Sequence, residues 1–86
     1  MIDVSKLEGK PFMAVNNFLL SQGYRLIGNS IDSKHNLKKM IYLIEKPCHN
    51  KVSLWHGWLP ADKCGIARPG VVTDVEFMNL DVDENG

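Results

Sequence analysis

The 86-residue sequence predicts a two-layer α+β domain, one N-terminal helix packed on a three- to four-stranded antiparallel sheet. Three observations lead there. A span opened by Pro11 and closed by Gly23 carries apolar residues at helical spacing. The stretch from Met40 to Leu59 is apolar on both alternating sides of a Pro47–Lys51 turn, which reads as a β-hairpin. The segment Val71–Phe77 alternates apolar with polar residues, the pattern of a strand with one wet face.

Residues 1–9 form a lead-in segment in which Val4 and Leu7 can pack. Pro11 suits the first helical position, because its missing N–H has no helical partner there anyway. Gly23 suits the left-handed position just past the end. Between them Phe12, Val15 and Leu19 make one face, with Phe18 on its edge. Met13 and Leu20 make a second apolar side, expected to meet the termini or the loop near Asn36.

Tyr24–Ile27 reads as a strand, with Tyr24 and Leu26 on one side and Arg25 and Ile27 on the other. Gly28-Asn29-Ser30 is turn chemistry, and Ile31 can resume the strand across a bulge. Residues 32–36 form a polar loop. The hairpin strands are Met40–Glu45 and Val52–Leu59. Pairing residue 45 with residue 53 sets Leu43 opposite Trp55 and Tyr42 opposite His56. Met40, Tyr42, Ile44, Leu54, His56 and Trp58 then share one face; Ile41, Leu43, Glu45, Ser53, Trp55 and Gly57 share the other. Pro60–Gly70 holds two prolines and two glycines and reads as an irregular loop, longer than an antiparallel connection requires. In the last strand Val71, Thr73, Val75 and Phe77 point to the core, and Asp74 and Glu76 to water. Residues 79–86 form an acidic tail expected to fray.

A chain of this length makes a single domain, residues 1–86. Lysines and arginines equal aspartates and glutamates, so the net charge is zero. That disfavours a nucleic-acid binder driven by a basic surface. Residues 1–46 carry +3 and residues 47–86 carry −3, so the surface is dipolar along the sequence. The opening Met-Ile-Asp-Val-Ser-Lys shows no signal-peptide pattern, and no apolar run approaches the roughly 18 residues of a membrane span. A cytoplasmic protein with no membrane partner and reduced thiols is expected.

Cys48, His49, His56 and Cys64 supply zinc-type ligands without a zinc-type clamp, since Cys48 and His49 are adjacent. Cys48 and Cys64 lie in loops flanking one strand, where a disulfide is conceivable; two unpaired thiols are the simpler expectation. No spacing specifies a thiolate held against a base, and no glycine pattern makes a phosphate loop. The expectation is a non-enzyme with no catalytic residue, no cofactor and no metal.

Two binding classes are left. Lys34, Lys38, Lys39, Lys46 and Lys51 beside Tyr42 and Trp55 suggest a single-stranded nucleic-acid module that stacks bases. Against it stand Glu45 and the acidic second half. The leading reading is a protein binder. One helix covers one sheet face, and the other face keeps either Trp55 with Leu43 and Ile41, or Trp58 with Tyr42 and Ile44. Tryptophan and tyrosine are enriched at interface hot spots. Ile41, Leu43 and Trp55 are the candidate apolar contact, and Lys63 and Arg68 of the long loop the polar rim. The role expected is a stoichiometric inhibitor or adaptor of another protein. A homodimer that covers the same face is a further alternative.

Leu7-Glu-Gly-Lys-Pro-Phe-Met-Ala-Val-Asn-Asn-Phe-Leu-Leu resembles the helix start Leu/Ile-x-x-Gly-Met-x-x-x-x-Val of SmpA/BamE-type and β-lactamase-inhibitor-like domains. Pro69-Gly-Val-Val-Thr-Asp-Val-Glu-Phe resembles their closing strand, Gly-x-Val-x-x-Val. The likeness covers about a third of the chain, and its motifs are generic. It implies a helix followed by antiparallel strands, and a sheet face away from the helix that binds another protein.

Overall fold

A computed structural model describes residues 6–61 and 63–81. In chain order they form α1 (Phe12–Ser21), β1 (Arg25–Asp32), β2 (Leu37–Ile44), β3 (Asn50–Trp58) and β4 (Pro69–Asn79). The four strands pair antiparallel in the order β1-β2-β3-β4, with α1 on one face. This is the expected two-layer α+β fold, with four strands in the sheet.

Leu7 is buried, and the residues after it run along β4 before the helix starts. The Gly9 N–H donates to the Val72 carbonyl and the Val72 N–H to the Lys10 carbonyl, both at 2.8 Å. Pro11 bridges to Val71. That pairing keeps Pro11 extended, at φ −57 and ψ 140, so it stands just before the helix and not at its first helical position. Its carbonyl accepts from the N–H groups of Ala14 and Val15.

The helix ends as its glycine implied. Gly23 has φ +95, a left-handed conformation costly for any residue with a Cβ. The Gly23 N–H donates to the Leu20 carbonyl and the Tyr24 N–H to the Leu19 carbonyl, each at 3.1 Å. These two bonds satisfy helix-end carbonyls in a Schellman motif. They also drop Tyr24 into the core beside Leu19.

β1 runs straight through Gly28-Asn29-Ser30 and does not turn there. The pairing shifts between Leu26 and Gly28, leaving Ile27 as a bulged residue. The turn follows at Ser33–Asn36. There the Asp32 carboxylate accepts the His35 backbone N–H at 3.2 Å, and Asn36 takes φ +53.

The hairpin register differs from the expected one by four residues. Leu43 pairs with Lys51, Tyr42 with Val52, Met40 with Leu54 and Lys39 with Trp55. The connection is Glu45–His49, so β3 starts at Asn50. This register sets Val52 and Leu54 opposite β2 residues under the helix, whereas pairing 45 with 53 would carry Val52 past the end of β2. A slip of four is even, so the side chains keep their faces. Met40, Tyr42, Val52, Leu54 and His56 are buried on the helix side.

β4 corrects a second expectation. Val72 is fully buried, while Val71 and Thr73 are exposed. Trp55 pairs with Asp74 and His56 with Val72, so Thr73 is an extra residue that flips the alternation. Val75 and Phe77 still pack on the core as expected. Gly70 permits the close approach of β4 to β3, because a Cβ there would lie within 3.2 to 3.3 Å of the Gly57 and Trp58 backbone. Beyond β4 the Leu80 N–H donates to the His49 carbonyl, and Asp81 accepts the His49 N–H; the rest of the acidic tail, 82–86, lies outside the described residues.

Among the described residues, a polar contact joins helix and sheet inside the apolar layer. The Tyr42 hydroxyl donates to Asn16 Oδ1 at 2.7 Å. Tyr42 is fully buried, and desolvation pushes its phenol up to about 12.

Two outcomes follow from these contacts. Gly23→Ala strains the helix end and should lower unfolding free energy by roughly 1–2 kcal/mol in urea titrations. The phenol pKa is raised in the folded state, so the neutral form contributes stability below pH 10 that is lost as pH rises towards 12. Stability should therefore fall by roughly 2–3 kcal/mol across that window. Tyr42→Phe should cost about 1 kcal/mol at neutral pH and flatten the alkaline fall.

Candidate functional site

Direct pairing places alternating residues of each strand on the sheet face opposite α1. β1 contributes Arg25, Gly28, Ser30 and Asp32; β2 contributes Leu37, Lys39, Ile41 and Leu43. β3 contributes Lys51, Ser53 and Trp55, and β4 contributes Asp74, Glu76 and Met78. The core formed by the described residues lies on the helix side.

Trp55 occupies this open face, and Trp58 the helix face. The Trp58 ring meets the buried His56 ring edge-on at 5.2 Å, and His56 in turn meets Phe12 at 4.4 Å. His56 shares a hydrogen bond of 2.7 Å between Nδ1 and the Gly57 carbonyl, so it is a structural residue. It pairs with Lys38 and Val72, not with Tyr42 as expected.

Trp55 is partly exposed. Lys39 Nζ stands 5.1 Å from its ring centroid, and Asp74 is its partner on the other flank. Ile41 and Leu43 are also partly exposed. Ile41 pairs with Ser53, which places it diagonally to Trp55. Leu43 lies one step further, opposite Lys51, so the expected Leu43–Trp55 pair does not form. The three residues make a diagonal stripe; Met78, 41% exposed, stands apart from it on β4, opposite Lys51.

An open depression of about 530 Å³ lies at the Trp55 end of the stripe. Its lining includes Asp32, His35, Leu37, Trp55, Asp74 and Glu76. The Asp32 carboxyl is held below its ordinary range, chiefly by its side-chain hydrogen bond to His35 Nδ1 at 2.8 Å. Asp32 therefore stays ionised beside Trp55, as part of an acidic flank shared with Asp74 and Glu76.

Lys63 and Arg68 belong to the β3–β4 loop, and both are exposed. The loop base is closed by the Leu59 N–H donating to the Arg68 carbonyl at 2.8 Å. That puts them beyond the Trp58 end of the sheet, whereas Leu43 lies near the opposite end. The structure thus brings Ile41 and Trp55 together, continues them to Leu43, and sets the loop cations apart. The acidic flank and Leu37 are the parts that sequence reading missed. Leu37, Lys39, Ile41 and Leu43 recur at strand spacing, and that alternation is the signal that marks residues 37–39 as strand.

Tyr42 is buried under the helix and presents no ring for base stacking. Cys48 and Cys64, both exposed, lie before and after the nine-residue β3, at opposite ends of a strand roughly 30 Å long. Among the described residues no group of three or more histidine, cysteine or acidic side chains is placed to hold a metal ion. Nor is any described helix long and apolar enough to cross a membrane. No family model matches the chain, and neither a curated protein nor a solved structure matches it.

The contact between Lys39 and Trp55 gives this face a spectroscopic handle. Lys39→Gln should shift Trp55 fluorescence, measured in a Trp58→Phe background, and should cost at most about 1 kcal/mol of stability.

Proposed function

We propose that the protein is a cytoplasmic, stoichiometric protein-binding domain, an inhibitor or adaptor of another protein, that works through the sheet face opposite α1. The observation that carries this reading is the apolar diagonal of Leu43, Ile41 and Trp55 on a face outside the helix-side core. Contiguous exposed apolar surface commonly marks an interaction site. Tryptophan is a typical anchor of such a patch, and the flanking charges supply a polar rim.

The charges around Trp55 favour a protein over a nucleic acid. Asp32, Asp74 and Glu76 line the same depression as Trp55 and repel a phosphate backbone. Lys39 is already placed against the indole. The resemblance of residues 7–20 and 69–77 to SmpA/BamE-type and inhibitor-like domains points to the same use of this face. Lys63 and Arg68 act outside the central contact, as an outer rim.

Trp55→Ala is the decisive variant. It should keep the circular dichroism spectrum and cooperative unfolding of the parent, and weaken partner capture by roughly 2 kcal/mol or more in free energy. The measurement is recovery of a stoichiometric protein from native extract by the parent chain, compared with the variant. Undiminished capture by folded Trp55→Ala, or salt-sensitive capture of single strands alone, would refute the reading.

A further inference from the structure

We propose that β1 is a self-recognition edge, at which a second copy of this chain docks β1 against β1 to make one continuous antiparallel sheet. The two edges of the sheet are built differently. β4 is strapped by residues 9–11 at Val71 and Val72, begins with Pro69, and carries Asp74 and Glu76 along its length. Proline, charge and a covering segment are the usual means of blunting an edge. β1 has no proline or lysine in its eight residues, and its interior is uncharged. Leu26, Ile27 and Ile31 are 44%, 49% and 62% exposed.

The sequence of β1 is complementary to itself when run antiparallel. With a two-fold axis at Asn29, Arg25 stands opposite the partner's Asp32, and Leu26 opposite the partner's Ile31. Opposed residues of an antiparallel pair must share a face. Arg25 and Asp32 are seven positions apart, so plain alternation would set them on opposite faces. The bulge at Ile27 removes that conflict: Arg25 and Asp32 pair with Leu43 and Leu37 on the open face, and Leu26 and Ile31 with Tyr42 and Lys38 on the helix face. Gly28 and Ser30 likewise share the open face. Each half of the symmetric contact therefore joins an ion pair on one face to an apolar pair on the other.

Both charges are available. The Arg25 side chain is 67% exposed, and its Nη2 bridges Glu45, which leaves other guanidinium N–H groups for a second carboxylate. Asp32 accepts from His35 and has further lone pairs. Pairing would place two open faces side by side on one sheet, giving a bivalent surface. The proposal does not depend on the protein-binding role of that surface.

Sedimentation equilibrium of the full chain over the micromolar range tests it. The parent should show a concentration-dependent dimer. Arg25→Glu opposes Glu to Asp32, and Asp32→Lys opposes Lys to Arg25; each alone should weaken self-association roughly tenfold or more. An equimolar mixture of the two variants should recover a heterodimer, since one native Arg25–Asp32 ion pair then forms and the other is restored with its charges reversed. Ile31→Lys, at the most exposed apolar position of the strand, should be monomeric without touching the Arg25–Glu45 pair. Circular dichroism checks the fold of each variant, and Trp55→Ala should leave the dimer unchanged. A monomeric parent, a dimer that persists in the folded single variants, or a mixture that stays monomeric would overturn the proposal.

Discussion

A single ten-residue helix against a four-stranded sheet is the constraint on which the rest of this structure depends. The helix is about 15 Å long. The strands, of eight to eleven residues, run to roughly 26–36 Å. One helix can therefore supply one core layer on one face. Phe12, Val15 and Leu19 fill that layer against Tyr42, Val52, Leu54 and Val72. The Tyr42–Asn16 hydrogen bond ties the helix to β2, because a buried hydroxyl must find its partner. Everything on the far side follows from this allocation, including the diagonal that ends at Trp55.

The sequence carried the elements well and the offsets between them poorly. Pro11, Gly23 and the residues between them mark a helix by local chemistry alone. The alternation of Met40, Tyr42 and Ile44 against Ile41 and Leu43 separates two faces, and those faces stand in the structure. Three other features leave little local trace. The register depends on where the five residues Glu45–His49 close, and a slip of four keeps every side chain on its face. The bulge at Thr73 adds one residue, which changes facing without changing composition, and the bulge expected at Gly28–Ser30 falls at Ile27. The strap at residues 9–11 is a long-range contact with Val72. Each of these is settled by packing at a distance, so the buried member of Val71, Val72 and Thr73 was not legible.

The candidate surface shows the same division. Trp55, Ile41 and Leu43 were legible as residues of one strand face. Their acidic flank was not, because Asp32 arrives from the end of β1, His35 from the β1–β2 turn, and Asp74 and Glu76 from β4. The long loop was legible as a loop. Its position past the Trp58 end, apart from Leu43, depends on the register.

The central claim is that the two tryptophans stand on opposite faces, with Trp55 on the open one. Nuclear Overhauser contacts of the two indoles in the folded chain test this most directly. The Trp55 ring should show contacts to the Lys39 side chain and none to Phe12, Val15 or Leu19, while the Trp58 ring shows contacts to His56. Contacts from Trp55 to the helix core residues would contradict the face assignment, and with it the surface proposed for binding.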